Sequence, residues 1–317
     1  MFRRIVPHIF CLSLLLGAAL ADPLGSAALV DIAARYGCSP PEEQGMTVVL
    51  RSPGSTACFQ PNTRQMIFNG VLVWLNHPLE LRDGMPTLSG ADARDTLGAL
   101  LSTASLPFST DGGTVVLDPG HGGEDPGAIG PTESPEKDLV LSIAERVQAR
   151  FRNSGIEVRL TRNCDKTLSK SERVGYALQC GADVFVSIHL NSAHNRRASG
   201  FETYVLPSPG SPPTSQEEGP GDGRTYAGNR HDGMNALLAY CLQRGLLTEA
   251  GGEDRGVKRA RFDVLVAAPC PAALVECGFL SNRRDGRKLE HEEHLETLAE
   301  ALARGLLTYM CRAPRMP

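Results

Sequence analysis

Hydrophobic and polar positions along the chain fall into two rhythms. From Thr114 onward, short apolar runs alternate with stretches whose apolar residues recur every three or four positions, the strand-then-helix rhythm of an α/β sheet. Residues 114–117 form a short buried strand bounded by Asp111-Gly112-Gly113 and Pro119-Gly120. Leu139, Ile143, Val147 and Phe151 give one stripe of a helix, with Ser134 as its N-cap and Pro135 at the first helical position. Ile156, Val158 and Leu160 alternate with charged residues, residues 169–172 read as a capping box, and residues 182–188 are continuously apolar, as in a fully buried strand. Helices around residues 235–247 and 292–310 enclose a further strand at 272–275, and Leu295, Leu298, Leu302 and Leu306 mark the buried stripe of the second helix.

Upstream the pattern is different. Strands are expected at residues 46–50, 66–68 and 71–75, with a tight turn at Phe68-Asn69-Gly70-Val71 and a short helix over 89–101. The fold class that follows is α/β: a mixed twisted sheet flanked by helices over residues 112–317, preceded by a small α+β accessory module over 22–111. Ahead of the two later helices, residues 207–222 (PSPGSPPTSQEEGPGD) are expected to be a mobile loop.

Composition narrows the setting. The 317 residues carry a net charge of −4, which favours neither a nucleic acid nor an anionic membrane as partner. Arg3 and Arg4 precede an apolar stretch at 9–20, and Ala19-Leu20-Ala21 is a small-x-small site before Asp22, so residues 1–21 read as a cleaved signal peptide. No cysteine follows that site and no other long apolar run exists, so the expectation is a soluble protein secreted across the inner membrane, in the periplasm or cell envelope. Nine cysteines occur, one of them, Cys11, in the signal; the remaining eight permit disulfides without fixing their pairing.

The chemistry collects at strand ends. His121 follows the first buried strand within a run of glycines, with Asp118 placed to orient its imidazole; His189 follows the strand at 182–188; Glu276 follows the strand at 272–275. Glu136 lies in the first turn of the helix that starts at the same sheet edge. Ligands of open α/β sheets bind outside those strand ends. Two imidazoles and a carboxylate make a zinc set with one position open for water, and a second carboxylate, Glu276, can serve as general base.

With these residues in place the sequence resembles the zinc-dependent N-acetylmuramoyl-L-alanine amidases that trim peptidoglycan during cell separation. The resemblance rests on Asp118 to Gly123 (DPGHGG), Glu136-Lys137, Ser187-Ile188-His189 with Asn191 after it, and residues 274–282 (LVECGFLSN), in family order. It implies that His121, Glu136 and His189 bind one zinc ion, that Glu276 is the catalytic acid/base, and that the amide between muramic acid and L-alanine is cut. Asn191 and Arg255 are candidate substrate contacts, although the run Arg255, Lys258, Arg259, Arg261 also reads as a solvated face. Some family members block the metal site with a long helix that an activator protein displaces; the proline-rich loop cannot form one, so no activator requirement is expected, and the protein is expected to be a monomer. Residues 68–101 resemble the stalk-like module at the N-terminus of copper amine oxidases, a spacer or wall-binding piece.

Other features compete. His291-Glu292-Glu293-His294 spaces its histidines three apart, unlike the four of a zinc-protease helix, and reads as a solvated helix start. His77 is read as a loop or core residue, and His194 and His231 as loop residues able to approach the site rather than as ligands. Ser134-Pro135-Glu136-Lys137 matches the S-x-x-K of penicillin-sensitive enzymes, but no K-T-G segment accompanies it. A zinc carboxypeptidase acting within the stem peptide and a catalytically inert wall-binding protein are the rival readings.

Overall fold

A computed structural model describes residues 25–103, 112–131, 133–216 and 221–312. The expected signal peptide lies outside the described residues, as do the end of the inter-module linker and the tip of the proline-rich loop.

The accessory module contains β1 (Ala27–Ala28), α1 (Leu29–Tyr36), β2 (Glu42–Gln44), β3 (Thr47–Ser52), β4 (Ser55–Phe59), β5 (Gln65–Phe68), β6 (Val71–Trp74), β7 (Glu80–Arg82) and β8 (Met85–Leu88). A π-helical stretch at Asp92–Gly98 then runs into α2 (Ala99–Thr103). The expected turn closes the β5–β6 hairpin, with Asn69 at φ 46° and Gly70 at φ 83°. Positive φ at both central residues matches the twist of the flanking strands. Strand β4 and helix α1 were missed by the sequence reading, although the buried residues Ser55, Ala57 and Phe59 of β4 follow the strand period and Leu29, Ile32 and Ala33 of α1 the helical one.

The second half contains β9 (Gly113–Pro119), α3 (Glu136–Arg150), β10 (Ile156–Leu160), α4 (Lys170–Gln179), β11 (Val184–Asn191), β12 (Phe201–Val205), α5 (Asp232–Glu249), β13 (Asp254–Arg259), α6 (Asp263–Val266), β14 (Ala272–Phe279), α7 (Arg283–Leu289) and α8 (Glu292–Arg312). The sheet order is β10-β9-β11-β14-β12-β13 and continues without a break through β6-β5-β4-β3-β2 of the accessory module. Strands β10, β9, β11 and β14 are parallel, whereas β12 runs antiparallel to β14, so the sheet is mixed. The two halves join where Val73 of β6 faces Val257 of β13.

Alternation along the strands sorts the side chains. Val115, Leu117, Val184, Val186, Ala273 and Val275 pack under α3, α5 and α8, while Val116, Phe185 and Leu274 pack under α4 and α6. Asp118, Ser187, His189 and Glu276 continue the second set.

Several expectations change. Ser134 is not the N-cap of α3: its carbonyl still accepts from Gly130 N (2.9 Å) in the preceding loop, and Pro135 caps in an extended conformation with Glu136 as the first helical residue. The capping box at Ser169 and Glu172 is formed as expected. The basic run at 255–261 is not one solvated face: three of its four cationic residues belong to β13, and Arg259 is buried against Trp74 O (3.0 Å) and Thr96 Oγ1 (2.8 Å). The described part of the proline-rich loop is anchored, because buried Arg64 donates to the carbonyls of Pro212, Pro213 and Gln216 at 3.1 Å each, and Asn76 accepts from Ser208 N. Among the described residues no disulfide is formed.

Candidate metal centre

The loop after β9 is built to present one imidazole. Its carbonyls are fixed by two buried arginines: Arg162 donates to Pro119 O (3.0 Å) and Gly120 O (2.8 Å), and Arg173 to Pro119 O (2.8 Å) and His121 O (2.6 Å). His121 itself takes φ 57°, a conformation that a residue with a side chain adopts only under local constraint. Neither arginine was singled out by the sequence reading.

Asp118 does not orient His121. It is buried and accepts from Thr161 Oγ1 (2.7 Å), Ser187 Oγ (2.8 Å) and Arg173 Nη1 (2.7 Å), tying β9, β10, β11 and α4 together under the loop. The orienting carboxylate is Asp125, whose Oδ2 lies 2.8 Å from His121 Nδ1 while its Oδ1 accepts from Gly127 N (3.0 Å). A proton on Nδ1 leaves the Nε2 lone pair facing inward, the arrangement that suits a metal ligand.

His121 Nε2 and His189 Nδ1 both approach Glu136 Oε1, at 3.2 and 3.0 Å. The ligand atoms of His121, Glu136 and His189 all lie within 4.8 Å of one another, and theirs is the one such group found among the described residues. The fit to a zinc-type ion is good: two nitrogens and one carboxylate oxygen converge. Glu136 is further held by Ala128 N on Oε2 and Leu190 N on Oε1, 2.9 Å each. Burial pushes its carboxyl up, but hydrogen bonds from both imidazoles and their charge outweigh this and hold it well below the usual carboxylate range. For His121 burial disfavours the charged form, yet Glu136 and Asp125 together raise its pKa.

Two glycines make room for this packing. A Cβ on Gly120 would lie 2.2 Å from the His189 ring, and one on Gly127 would meet Glu136 Oε2 at 2.6 Å and His121 Cδ2 at 2.8 Å.

His189 and Glu276 lie inside their strands rather than beyond them. They are direct register partners across the parallel β11–β14 pair, so their side chains stand on the same face. Glu276 borders a cavity of about 530 Å³ together with His121, His189, Ser187, Asp263 and Phe262. Its Oε2 is buried and, among the described residues, has no hydrogen-bond partner. Burial first, then the charges of Glu136 and Glu202, push its carboxyl well above the ordinary value.

Glu202 completes the row and was missed by the sequence reading. It faces Glu276 across the antiparallel β12–β14 pair and is almost fully buried, bound by Arg255 Nε, Tyr204 Oη, Lys258 Nζ (2.9 Å) and Asn191 Nδ2 (3.2 Å). Asn191 and Arg255 are thereby brought together on one carboxylate. Only its placement in G-F-E-T, one residue into an apolar strand, could have drawn attention to it.

The remaining candidates stand elsewhere. His231 Nε2 is 3.2 Å from Pro269 O, His77 Nε2 is 3.0 Å from Ser211 Oγ, and His194 lies in an exposed loop. Lys137 Nζ donates to Gly123 O (2.8 Å) and Asp165 Oδ2 (2.7 Å).

Residues 115–308 match the model of a family described as N-acetylmuramoyl-L-alanine amidase. N-acetylmuramoyl-L-alanine amidase AmiA of Escherichia coli strain K12 is 34% identical over 253 residues, which cover 70% of this chain and 87% of that protein. Among solved structures, N-acetylmuramoyl-L-alanine amidase AmiC2 of Nostoc punctiforme superposes with a TM-score of 0.53 at 34% identity, covering 62% of this chain and 96% of that one. The catalytic domain of CwlV from Bacillus (Paenibacillus) polymyxa var. colistinus gives 0.53 at 30% identity, covering 63% and 99%.

Proposed function

Because the chain belongs to the N-acetylmuramoyl-L-alanine amidase family, we propose that it hydrolyses the muramic acid to L-alanine amide of peptidoglycan with one zinc ion held by His121, Glu136 and His189. The observation that carries this reading is the convergence of those three ligand atoms within 4.8 Å beside a carboxylate, Glu276, that has a free buried oxygen. When bound, such an ion supplies Lewis-acid polarisation of the scissile carbonyl and acidification of a water.

The residues of the chain do the rest. Asp125 keeps the His121 proton on Nδ1, and Ala128 N and Leu190 N keep the Glu136 carboxylate charged and oriented. Glu276 takes the proton from the attacking water as the carbon–oxygen bond forms. It returns that proton to the L-alanine nitrogen as the carbon–nitrogen bond breaks, so that the amine leaves neutral. A carboxyl whose pKa is raised by burial is suited to both transfers near neutral pH.

We extend the reading to the organisation of the chain: residues 1–21 a signal peptide, 22–111 an accessory module, 112–317 the catalytic module, in a monomeric protein of the periplasm or cell envelope that acts in cell separation. No helix among the described residues is long and apolar enough to cross a membrane. Activity without an activator is supported by the anchored loop, since none of its described residues borders the catalytic cavity. The test is mass spectrometry of products released from purified peptidoglycan by the protein alone, with and without chelator. Stem peptides with a free N-terminal L-alanine, lost on chelation and regained with zinc, are expected. Peptides shortened at the far end, or release that chelation leaves intact, would overturn the reading.

A further inference from the structure

A second and larger cavity, of about 700 Å³, opens on the other side of β14. Strand alternation turns Glu276 toward α4 and α6 and turns Cys277 toward this second space. Arg196, Arg197, Arg283, Arg284 and Lys288 border it, and Arg283, Arg284 and Arg287 border an adjoining open cleft. Among the described residues, Arg197, Arg283, Arg284, Arg287 and Lys288 have no carboxylate partner. The lining's one acid, Asp285, spends Oδ2 on Gly200 N (3.1 Å) and Phe279 N (3.3 Å). A concentration of unpaired cations in a chain whose net charge is −4 is complementary to a ligand carrying several anionic groups, and the planar guanidinium matches carboxylates in two-point contacts.

The cationic segments are held in place. Asn282 Nδ2 donates to Arg196 O (3.0 Å), Ala193 N donates to Ser281 Oγ (2.9 Å), and Asn282 Oδ1 caps α7 through Arg284 N (2.8 Å). Both segments therefore hang from the ends of β11 and β14, the strands that carry His189 and Glu276. The cavity is concave, and its large apolar side chains, Phe201 and Leu289, are buried; among the described residues none of the exposed large apolar ones borders it. A lipid surface would call for the opposite arrangement, a convex basic face with apolar groups to insert.

We propose that this cavity binds the carboxylates of an uncut stem peptide of the same polymer, a second substrate contact that holds the wall while the catalytic cavity acts. It rests on the amidase reading above, and its test separates the two. The full chain with Arg197→Gln, Arg284→Gln and Lys288→Gln is compared with the unaltered protein by co-sedimentation with insoluble peptidoglycan in the presence of chelator, by turnover of a soluble single-stem fragment with zinc, and by binding to phosphatidylglycerol vesicles. All three side chains are exposed, so thermal stability should be unchanged. Wall binding is expected to weaken roughly tenfold at low salt, with fragment turnover unchanged. Unaltered wall binding, a loss confined to the vesicles, or a proportional loss of fragment turnover would each overturn the proposal. Failure of the unaltered protein to cut the fragment would instead overturn the amidase reading, while the wall-binding comparison would still decide the fate of the cavity.

Discussion

Glu202 stands directly opposite Glu276 across the antiparallel β12–β14 pair, two carboxylates on one face of the sheet with opposite surroundings. Glu202 is bound by Arg255, Lys258, Tyr204 and Asn191, whereas Glu276 keeps a buried oxygen with no partner among the described residues. Neighbouring carboxylates driven apart in this way divide their roles: one stays charged and structural, the other is left to move a proton.

Glu276→Gln is expected to lower turnover by roughly 10²- to 10⁴-fold, the usual worth of a positioned acid/base, with zinc content unchanged by metal analysis. Near-wild-type turnover would remove Glu276 from the mechanism.

The same substitution should stabilise the chelated protein at neutral pH. The folded-state pKa of Glu276 is raised, so native stability falls as pH climbs from the unfolded carboxyl value, about 4.3, toward the folded one. Glutamine does not titrate, which predicts a gain of about 1–2 kcal/mol at pH 7 that disappears below about pH 4. Chemical denaturation of both proteins across this range is the check; a pH-independent difference would contradict it.

Glu202→Gln should behave in the opposite sense. Burial raises its pKa, but hydrogen bonds from Arg255, Tyr204 and Lys258 prevail and lower it. Its contribution is then fully present above the unfolded value and is lost as pH falls through the folded one. The variant is expected to lose about 1–3 kcal/mol at pH 7, because two cations keep a neutral partner, and to approach wild type in acid. Thermal melts at pH 7 and pH 3 would settle the sign.

Gly127→Ala tests the packing around the proposed metal ligands. Its Cβ would meet Glu136 Oε2 at 2.6 Å in a backbone held at φ 66°. Displacing a ligand in this way should weaken zinc binding roughly 10- to 100-fold, read by competition with a chromophoric chelator. Unchanged affinity would mean that the loop moves freely to admit the methyl group.

Arg64→Ala should release the proline-rich loop. Besides three loop carbonyls, Arg64 Nε donates to Leu75 O (2.8 Å), so its removal leaves buried acceptors unpaired. A loss of about 2–4 kcal/mol is expected, with faster proteolysis within residues 207–216; cleavage at the wild-type rate would show that other contacts hold the loop.

The sequence by itself determined the α/β class, most strands and helices of the catalytic half, and the His121, Glu136, His189 and Glu276 set. The reason is physical: apolar period reports burial, and a polar residue that interrupts or ends a buried run is costly without a task. What it misplaced depended on contacts between distant segments. Asp118 looks like the partner of His121 because it is three residues away, yet strand pairing draws it to Thr161, Ser187 and Arg173, and the glycine loop folds Asp125 onto the imidazole instead. The basic run at 255–261 has no visible period, and only pairing with β12 and β6 makes part of it a strand, sets Arg255 and Lys258 on Glu202, and buries Arg259 against the accessory module. Register between strands is fixed by packing of the whole sheet, so the row His189, Glu276, Glu202 and the continuity of one sheet through both modules were decided by tertiary structure alone.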